Sequence, residues 1–536
     1  MKKLKYIFLL AGALSLASCE SWLDEDPQYT INTKTQFSTV ENARQALMGC
    51  YGYMSADNAY GQAWQEVTFG YCGFGWSQTN GSSTDLLVSM DGGIDETINT
   101  MAWRGMYKVI GETNAFIANI ADSPLESADK LPMEAAARFL RALAYYNLAV
   151  TYGDVPLKTT PSAHDGVAVP RSPKNEVFEL VRTDWEFAYE NLPEKDDDGF
   201  ATKWAAKAYL GKLYHTLGCQ GDNTAWEKAK ACFDEVMSKY RLADKFSDLF
   251  VDYVQGSPES IFQLNFALAG STTRNRGSWL VAPNGSCNGQ AWDRIRASKA
   301  LYDYFLATYP GDPRIESTFL TYWKSYAGVG KGEKPKEEPI ASARDTVYAY
   351  PYFTYTIEGE EKPAGWKKPK LYVGRIPYEK LADPASPKAE ELYAMIADTA
   401  TATPAEKGYL KGLLSLLENA TKKPSTNTKS WPYFKKPWDP EQSGNNSHKN
   451  LILYRYADML LMAADVYNEL GQTDKAITLA NEVLKRARQS GNASQPADWK
   501  SGLSKEQVRE KIYFERIFEG AGEPEMYQKM RLRGTE

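Results

Sequence analysis

Apolar residues recur at helical spacing in paired segments along this chain, and that recurrence limits the folds open to it. Between Glu134 and Val150, the residues Phe139, Leu143, Tyr146 and Val150 fall four, three and four positions apart, which puts them on one stripe of a helix. Pro173 opens a second segment that runs through Trp185 to about Asn191, ahead of Pro193, the placing expected of a first-turn proline. The same reading predicts pairs over 202–217 with 225–240 and over 451–470 with 473–489, and a weaker pair over 39–54 with 97–121. A helix with a single apolar stripe must bury it against a neighbour, so the pairs are expected to stack into a mainly α architecture.

Leu210-Gly211 with Tyr214, followed by Ala229 and Phe233, resembles the tetratricopeptide signature, in which small residues sit where two helices cross. Tyr467 and Ala476 show the repeat's own nine-residue spacing around Glu469-Leu470-Gly471-Gln472, whereas the first match spans an enlarged turn. The expectation is a tetratricopeptide-like platform of about four helix pairs, near 39–121, 133–191, 202–240 and 451–489. The remainder does not repeat. Segments 61–95, 257–290 and 322–444 are long and rich in Gly, Pro, Asn, Trp and Tyr, and read as a loop-rich half with little β structure. Loops of this length are functional or disordered, and their aromatics favour function, because disordered chain is poor in them.

The first eighteen residues have the order of an export signal. Lys2, Lys3 and Lys5 precede an apolar run from Tyr6 to Leu16, and Ala17 and Ser18 lead to Cys19. The run is well short of the ~20 residues that a membrane-spanning helix needs. Leu16-Ala17-Ser18-Cys19 looks like a lipobox, so Cys19 is the expected lipid-anchored first residue of the mature chain; an ordinary signal with a chance cysteine is the alternative. Residues 19–36 then read as a lipidated N-terminus and an acidic, proline-broken tether, and 37–536 as one domain.

Loss of residues 1–18 leaves 59 basic against 68 acidic residues, a net charge of −9. So acidic a chain has no electrostatic footprint for nucleic acid, and its partner is expected to be neutral or a protein. Five cysteines follow Cys19, an odd number, with no Cys-x-x-Cys among them. Cys219 and Cys232 lie close enough in sequence to bridge, but a buried thiol is the expected role of each. Neither a metal nor a cofactor is expected.

Catalytic patterns are weak. His164, His215 and His448 are far apart, and His-Glu-x-x-His, the phosphate-binding loop and the dinucleotide glycine pattern are all missing. Gly285-Ser286-Cys287-Asn288-Gly289 spells a nucleophile elbow, yet Pro283-Asn284 interrupts the strand that such an elbow needs. Sugar binding, by contrast, requires aromatic planes to cover C–H faces and nearby amides or charged groups to pair with hydroxyls. The chain has 14 Trp and 34 Tyr, more than repeat packing uses. Trp185, Trp204 and Trp226 fall on the repeat helices and are expected in the core. The candidate ligand-binding residues fall in loops. Trp64, Tyr71 and Trp76 lie with Phe74 beside Gln62, Gln78, Asn80 and Asp85. Trp279 and Trp292 flank a polar turn holding Asn284, Asn288 and Gln290, with Arg294 just after. The alternative for each Trp is that it pins its own loop to the platform.

Several motifs in order resemble the SusD/RagB family of surface glycan-binding lipoproteins. They are Cys19 with Trp22-Leu23-Asp24 and Pro27; Phe37-Ser38-Thr39 with Glu41; Arg138-Phe139-Leu140-Arg141-Ala142 followed by Tyr152-Gly153-Asp154-Val155-Pro156-Leu157; Tyr454-Arg455-Tyr456-Ala457-Asp458; and Glu515-Arg516 with Phe518-Glu519. The chain departs from the family in ending at Arg533-Gly534-Thr535-Glu536 and in having Ala464-Asp465-Val466 where Ala-Glu-Ala is usual. The resemblance implies a four-repeat platform packed on a loop-rich half, with Trp279 and Trp292 just ahead of a helix at 300–309 where members place ligand-contacting aromatics. It also implies a non-enzymatic protein, lipid-anchored and exposed on the outer membrane, that captures oligosaccharide and passes it to a SusC-like TonB-dependent transporter. A protein-interaction scaffold built on the repeats is the alternative, and a glycoside hydrolase a more distant one.

Overall fold

The computed structural model describes residues 33–77, 83–90, 97–161, 169–196, 199–251, 257–266, 274–324, 346–349 and 431–525. Cys19 and most of segment 322–444 lie outside them. Eight helices among the described residues build the platform: α1 (Val40–Met54), α2 (Thr97–Ala121), α3 (Ser127–Tyr152), α4 (Lys174–Asn191), α5 (Lys203–Cys219), α6 (Ala225–Val236), α7 (Tyr456–Glu469) and α8 (Thr473–Gln489). Each packs on the next along the chain, and α9 (Lys505–Gly520) lies against α7 and α8. The architecture is mainly α and tetratricopeptide-like. None of the described helices is long and apolar enough to cross a membrane.

The small residues of the repeat signature work as their chemistry suggests. A Cβ on Gly211 would come within 2.5 Å of the Phe233 ring, and one on Gly218 within 2.6 Å of the Trp226 indole. The α5–α6 crossing is therefore close only because both positions lack a side chain. The Arg-Phe-Leu-Arg-Ala motif clamps α2, α3 and α4 together. Arg141 Nε and a terminal nitrogen each donate to Asp184 at 2.8 Å, and its other terminal nitrogen donates to Asn114 Oδ1 at 2.8 Å. Both charges are buried, so the bidentate pairing is what makes their desolvation tolerable. The Tyr-Gly-Asp-Val-Pro motif ends α3 and starts α4. Gly153 caps α3 with φ +79°, and the Asp154 carboxylate accepts the Lys174 N–H at 2.8 Å. Pro173 sits at the N-cap of α4, one position before the first-turn placing that its spacing suggests.

Among the described residues the strands form five two-stranded antiparallel pairs. In chain order they are β1 (Gly75–Ser77), β2 (Val155–Pro156), β3 (Arg171–Ser172), β4 (Ser260–Leu264), β5 (Ile295–Ala297), β6 (Phe319–Leu320), β7 (Tyr322–Lys324), β8 (Thr346–Tyr348), β9 (Tyr433–Phe434) and β10 (Leu451–Arg455). The pairs are β1 with β5, β2 with β3, β4 with β10, β6 with β9, and β7 with β8. The start of the last helix pair differs from the sequence expectation. Residues 451–455 are strand rather than helix, because their backbone pairs with 260–264, and α7 starts only at Tyr456. Apolar residues continue through both elements, over 451–462, with only Arg455 and Asp458 among them, so periodicity does not mark the change.

A buried ion network joins the platform to the loop-rich half. Arg455 donates to Glu259 at 2.8 Å, Glu519 at 2.7 Å and Glu523 at 2.8 Å. Arg486 bonds Glu259 and Glu519, and Arg314 bonds Glu519 at 2.8 Å, Glu515 at 2.5 Å and Asp312 at 2.7 Å. Burial works against the Glu519 carboxylate, but Arg486, Arg455 and Arg314 together hold it well below the usual carboxylate range. Burial, opposed by Glu523, pushes the Lys436 amine beside them down to about 7.

Candidate ligand-binding site

The second aromatic cluster is assembled by a short helix, Gly277–Val281, and a returning segment at 292–294. Backbone bonds run between them: Trp292 N–H to Trp279 O at 2.8 Å, Asp293 N–H to Ala282 O at 3.1 Å and Arg294 N–H to Leu280 O at 2.9 Å. Asp293 takes φ +54°, a left-handed conformation uncommon for a residue with a side chain. Its buried carboxylate grips Arg296 at 2.7 and 2.8 Å, which holds the strained residue in place. Burial raises the Asp293 carboxyl, and the Arg296 guanidinium opposes the rise.

The result is a three-layer stack. The Trp279 and Trp292 rings are 4.0 Å apart at 23°, and the Arg294 guanidinium lies 3.4 Å from the Trp292 centroid. No room for a guanidinium remains between rings 4.0 Å apart, so Arg294 covers the opposite face of Trp292. Trp292 nonetheless keeps 36% of its surface exposed, at its edge. Arg294 is also paired with Glu66 at 3.3 Å, and Arg276 with Asp57 at 2.9 Å and, as donor, with Gln62 Oε1 at 2.6 Å. Each cation at the stack thus has its own carboxylate, and the cluster is close to neutral.

A second stack lies further along the same stretch. Trp76, on β1, sits opposite Arg296 on β5 and stacks on Trp431 at 4.3 Å and 11°. Lys299 is 5.0 Å from the Trp431 centroid. Residues 292–299 therefore carry parts of both stacks.

The residues singled out by sequence do not all meet. Trp279, Trp292 and Arg294 form one unit, and Trp76 belongs to the second. Trp64 is a correction: it is fully buried, packed against Tyr60 and Tyr152, and presents no face to a ligand. The reason is that all eight residues of its helix, Ala63–Gly70, are buried, although the surrounding polar sequence suggests a loop. Tyr71 is half-buried against the main core, with Asn99 donating to its hydroxyl. Asn284 is exposed in a turn closed by the Ser286 N–H and Pro283 O at 3.0 Å. Gln78, Asn80 and the Asp85 side chain lie outside the described residues. Cys287, at the centre of the elbow-like motif, is buried, which pushes its thiol up to about 12 and keeps it from being a nucleophile. Among the described residues no disulfide joins two cysteines, Cys219 and Cys232 included.

A model described as "Starch-binding associating with outer membrane" matches residues 21–215, and the model of the SusD family matches residues 258–531, just over half of the chain. The chain belongs to the SusD family. It is 24% identical over 544 residues to SusD-like protein P25 of Formosa agariphila, covering 97% of this chain and 87% of that one. A solved SusD homolog of Bacteroides thetaiotaomicron superposes with a TM-score of 0.69 at 19% identity, covering 92% of this chain and 86% of that chain. A solved laminarin-binding SusD-like protein superposes with a TM-score of 0.61 at 19% identity, covering 93% of this chain and 94% of that one.

In this SusD-family chain the motifs that carry the resemblance make the fold rather than the aromatic stacks. Arg141, Arg455, Arg516 and Glu519 are all buried in ion pairs. Trp431, Arg276 and Glu66 contact the stacks, and the sequence reading did not single them out. Arg276 stands three positions before Trp279, one helical turn, which is the one local signal available. Trp431 has none, since its partner Trp76 is more than 350 residues away.

Proposed function

We infer that this chain is a cell-surface glycan-binding lipoprotein that captures oligosaccharide and passes it, uncleaved, to a SusC-like TonB-dependent transporter. The observation that carries the binding reading is the Trp279–Trp292–Arg294 stack, which holds a partly exposed indole rigid amid ion-paired arginines and amides. Rigid aromatic surface beside hydrogen-bonding groups is what a sugar face and its hydroxyls require. Because Asp57 and Glu66 neutralise the arginines, a neutral or weakly charged oligosaccharide suits the site better than a polyanion. The laminarin-binding relative adds a precedent for such a ligand on this fold. Attachment would be through lipid on Cys19, with the platform facing the transporter.

The test is a glycan array with the full chain in mild detergent, followed by calorimetric titration of the best ligand. Trp279→Ala should weaken binding by roughly tenfold to a hundredfold, the equivalent of about 1–3 kcal/mol of covered apolar surface. New reducing ends on incubation would refute the non-cleaving role. Undiminished glycan affinity in Trp279→Ala would place the ligand elsewhere, and recovery of no transporter from native membranes would count against the partnership.

A further inference from the structure

Deep in the platform, and remote in sequence from the aromatic stacks, three side chains of metal-ligand type converge. His215 and Cys219 are four positions apart on α5 and so share one face of the helix. Asp465 reaches them from α7, 250 positions further along the chain. His215 Nε2 is 2.8 Å from Asp465 Oδ2, and Cys219 Sγ is 3.9 Å from the same nitrogen. One ligand atom from each of the three lies within 4.8 Å of the others.

We propose that His215, Cys219 and Asp465 form a site for a single zinc ion that clips α5 to α7. Zinc at about 2.3 Å from sulfur and about 2.0 Å from nitrogen and oxygen holds its ligand atoms roughly 3.3–3.6 Å apart. The separations of 2.8 Å between nitrogen and oxygen and 3.9 Å between nitrogen and sulfur lie on either side of that range, and the set as a whole spreads to 4.8 Å, so binding requires Cys219 Sγ to move in by about 1 Å while the His215–Asp465 pair opens by about half an ångström. The donor set suits the ion: a thiolate and an imidazole are preferred by borderline-soft zinc, and the thiolate with the carboxylate balances its two charges. Arg516 is close enough to act on both Asp465 and Cys219, but its charge is met by Asp458 at 3.0 Å. His215 and Asp465 are buried, whereas Cys219, the last residue of α5, is only partly buried and is the side from which an ion would enter, with water supplying the fourth ligand. The Trp226 indole closes one side, its ring centroid 5.7 Å from that of His215. The sequence lacks a Cys-x-x-Cys because here two ligands come from a helical i, i+4 pair and the third from a distant helix.

The test strips the full chain in mild detergent with a chelator, then adds zinc, and separately cadmium as an absorbing substitute. One equivalent of zinc should be retained after dialysis, and cadmium should give the ultraviolet charge-transfer band of a metal thiolate. Cys219→Ser should abolish the band and weaken zinc binding by more than about tenfold, the loss seen even for outer-shell partners. Its metal-free melting temperature should match that of the metal-free parent, since Cys219 is partly exposed. As a check independent of folding, zinc should slow alkylation of Cys219 by iodoacetamide in the parent and not in His215→Gln. Failure of the parent to take up one equivalent, a cadmium band that survives in Cys219→Ser, or alkylation unaffected by zinc would each overturn the site.

Discussion

Replacing Glu519 with Gln removes one negative charge from the point where the platform meets the loop-rich half. The carboxylate accepts from Arg455 at 2.7 Å, from Arg314 at 2.8 Å and from Arg486, and it is 1% exposed. Gln keeps the shape and one acceptor, but it turns an N–H₂ toward guanidinium groups that can only donate. Removing one partner of a buried ion pair typically costs about 3–5 kcal/mol, because the charges left behind are desolvated without compensation. With about 2.1 cal/mol/K of unfolding entropy per residue, a chain of about 500 residues has roughly 1 kcal/mol/K, so the melting temperature should fall by about 3–5 °C. The drop should depend on pH. Since Arg486, Arg455 and Arg314 hold the Glu519 carboxyl below the usual 4.5 despite its burial, its contribution is fully present above pH 4.5 and lost as the pH falls further. The parent and Glu519→Gln should therefore converge in stability below pH 4.5. Scanning calorimetry at neutral and acid pH measures both effects. A variant that melts within about 1 °C of the parent at neutral pH would refute the reasoning, since the three arginines would then need no carboxylate there.

Gly211→Ala should destabilise the α5–α6 crossing by about 1–3 kcal/mol through overpacking against Phe233, read as a lower denaturation midpoint with glycan affinity unchanged. Trp292→Ala should lose roughly tenfold to a hundredfold in glycan affinity, while its melting temperature stays within about 2 °C of the parent. Equal affinity with early melting would make Trp292 a structural pin. Lys436→Gln should flatten stability against pH at mildly alkaline values. The buried amine is pushed down to about 7 from 10.5, so the unfolded chain binds the proton more readily between those values and the parent gains stability as the pH rises through them. Cys19→Ala should leave the fold intact and release the protein from the membrane fraction; continued sedimentation in high salt would refute lipid tethering.

Much of the platform is legible in the sequence because helices are local objects. Residues four apart share a face whatever surrounds them, so the stripe from Phe139 to Val150 and the Gly211–Tyr214 signature announce helices and their close crossing. The loop-rich half is less legible. A tryptophan has the same chemistry inside or outside, and only packing sends Trp64 into the core while leaving the edge of Trp292 in solvent. The strand at 451–455 exists because 260–264 lies beside it, and no periodicity within 451–462 reports that neighbour. Likewise Arg455 with Glu259, Trp76 with Trp431 and His215 with Asp465 are partners separated by hundreds of residues. The sequence by itself determined the helices, their stacking order and the kinds of side chain available for binding, because those follow from short-range spacing and composition. Which aromatics stack, which charges pair and which ligands converge was decided only by the tertiary structure, because those contacts depend on how the packed segments close on one another.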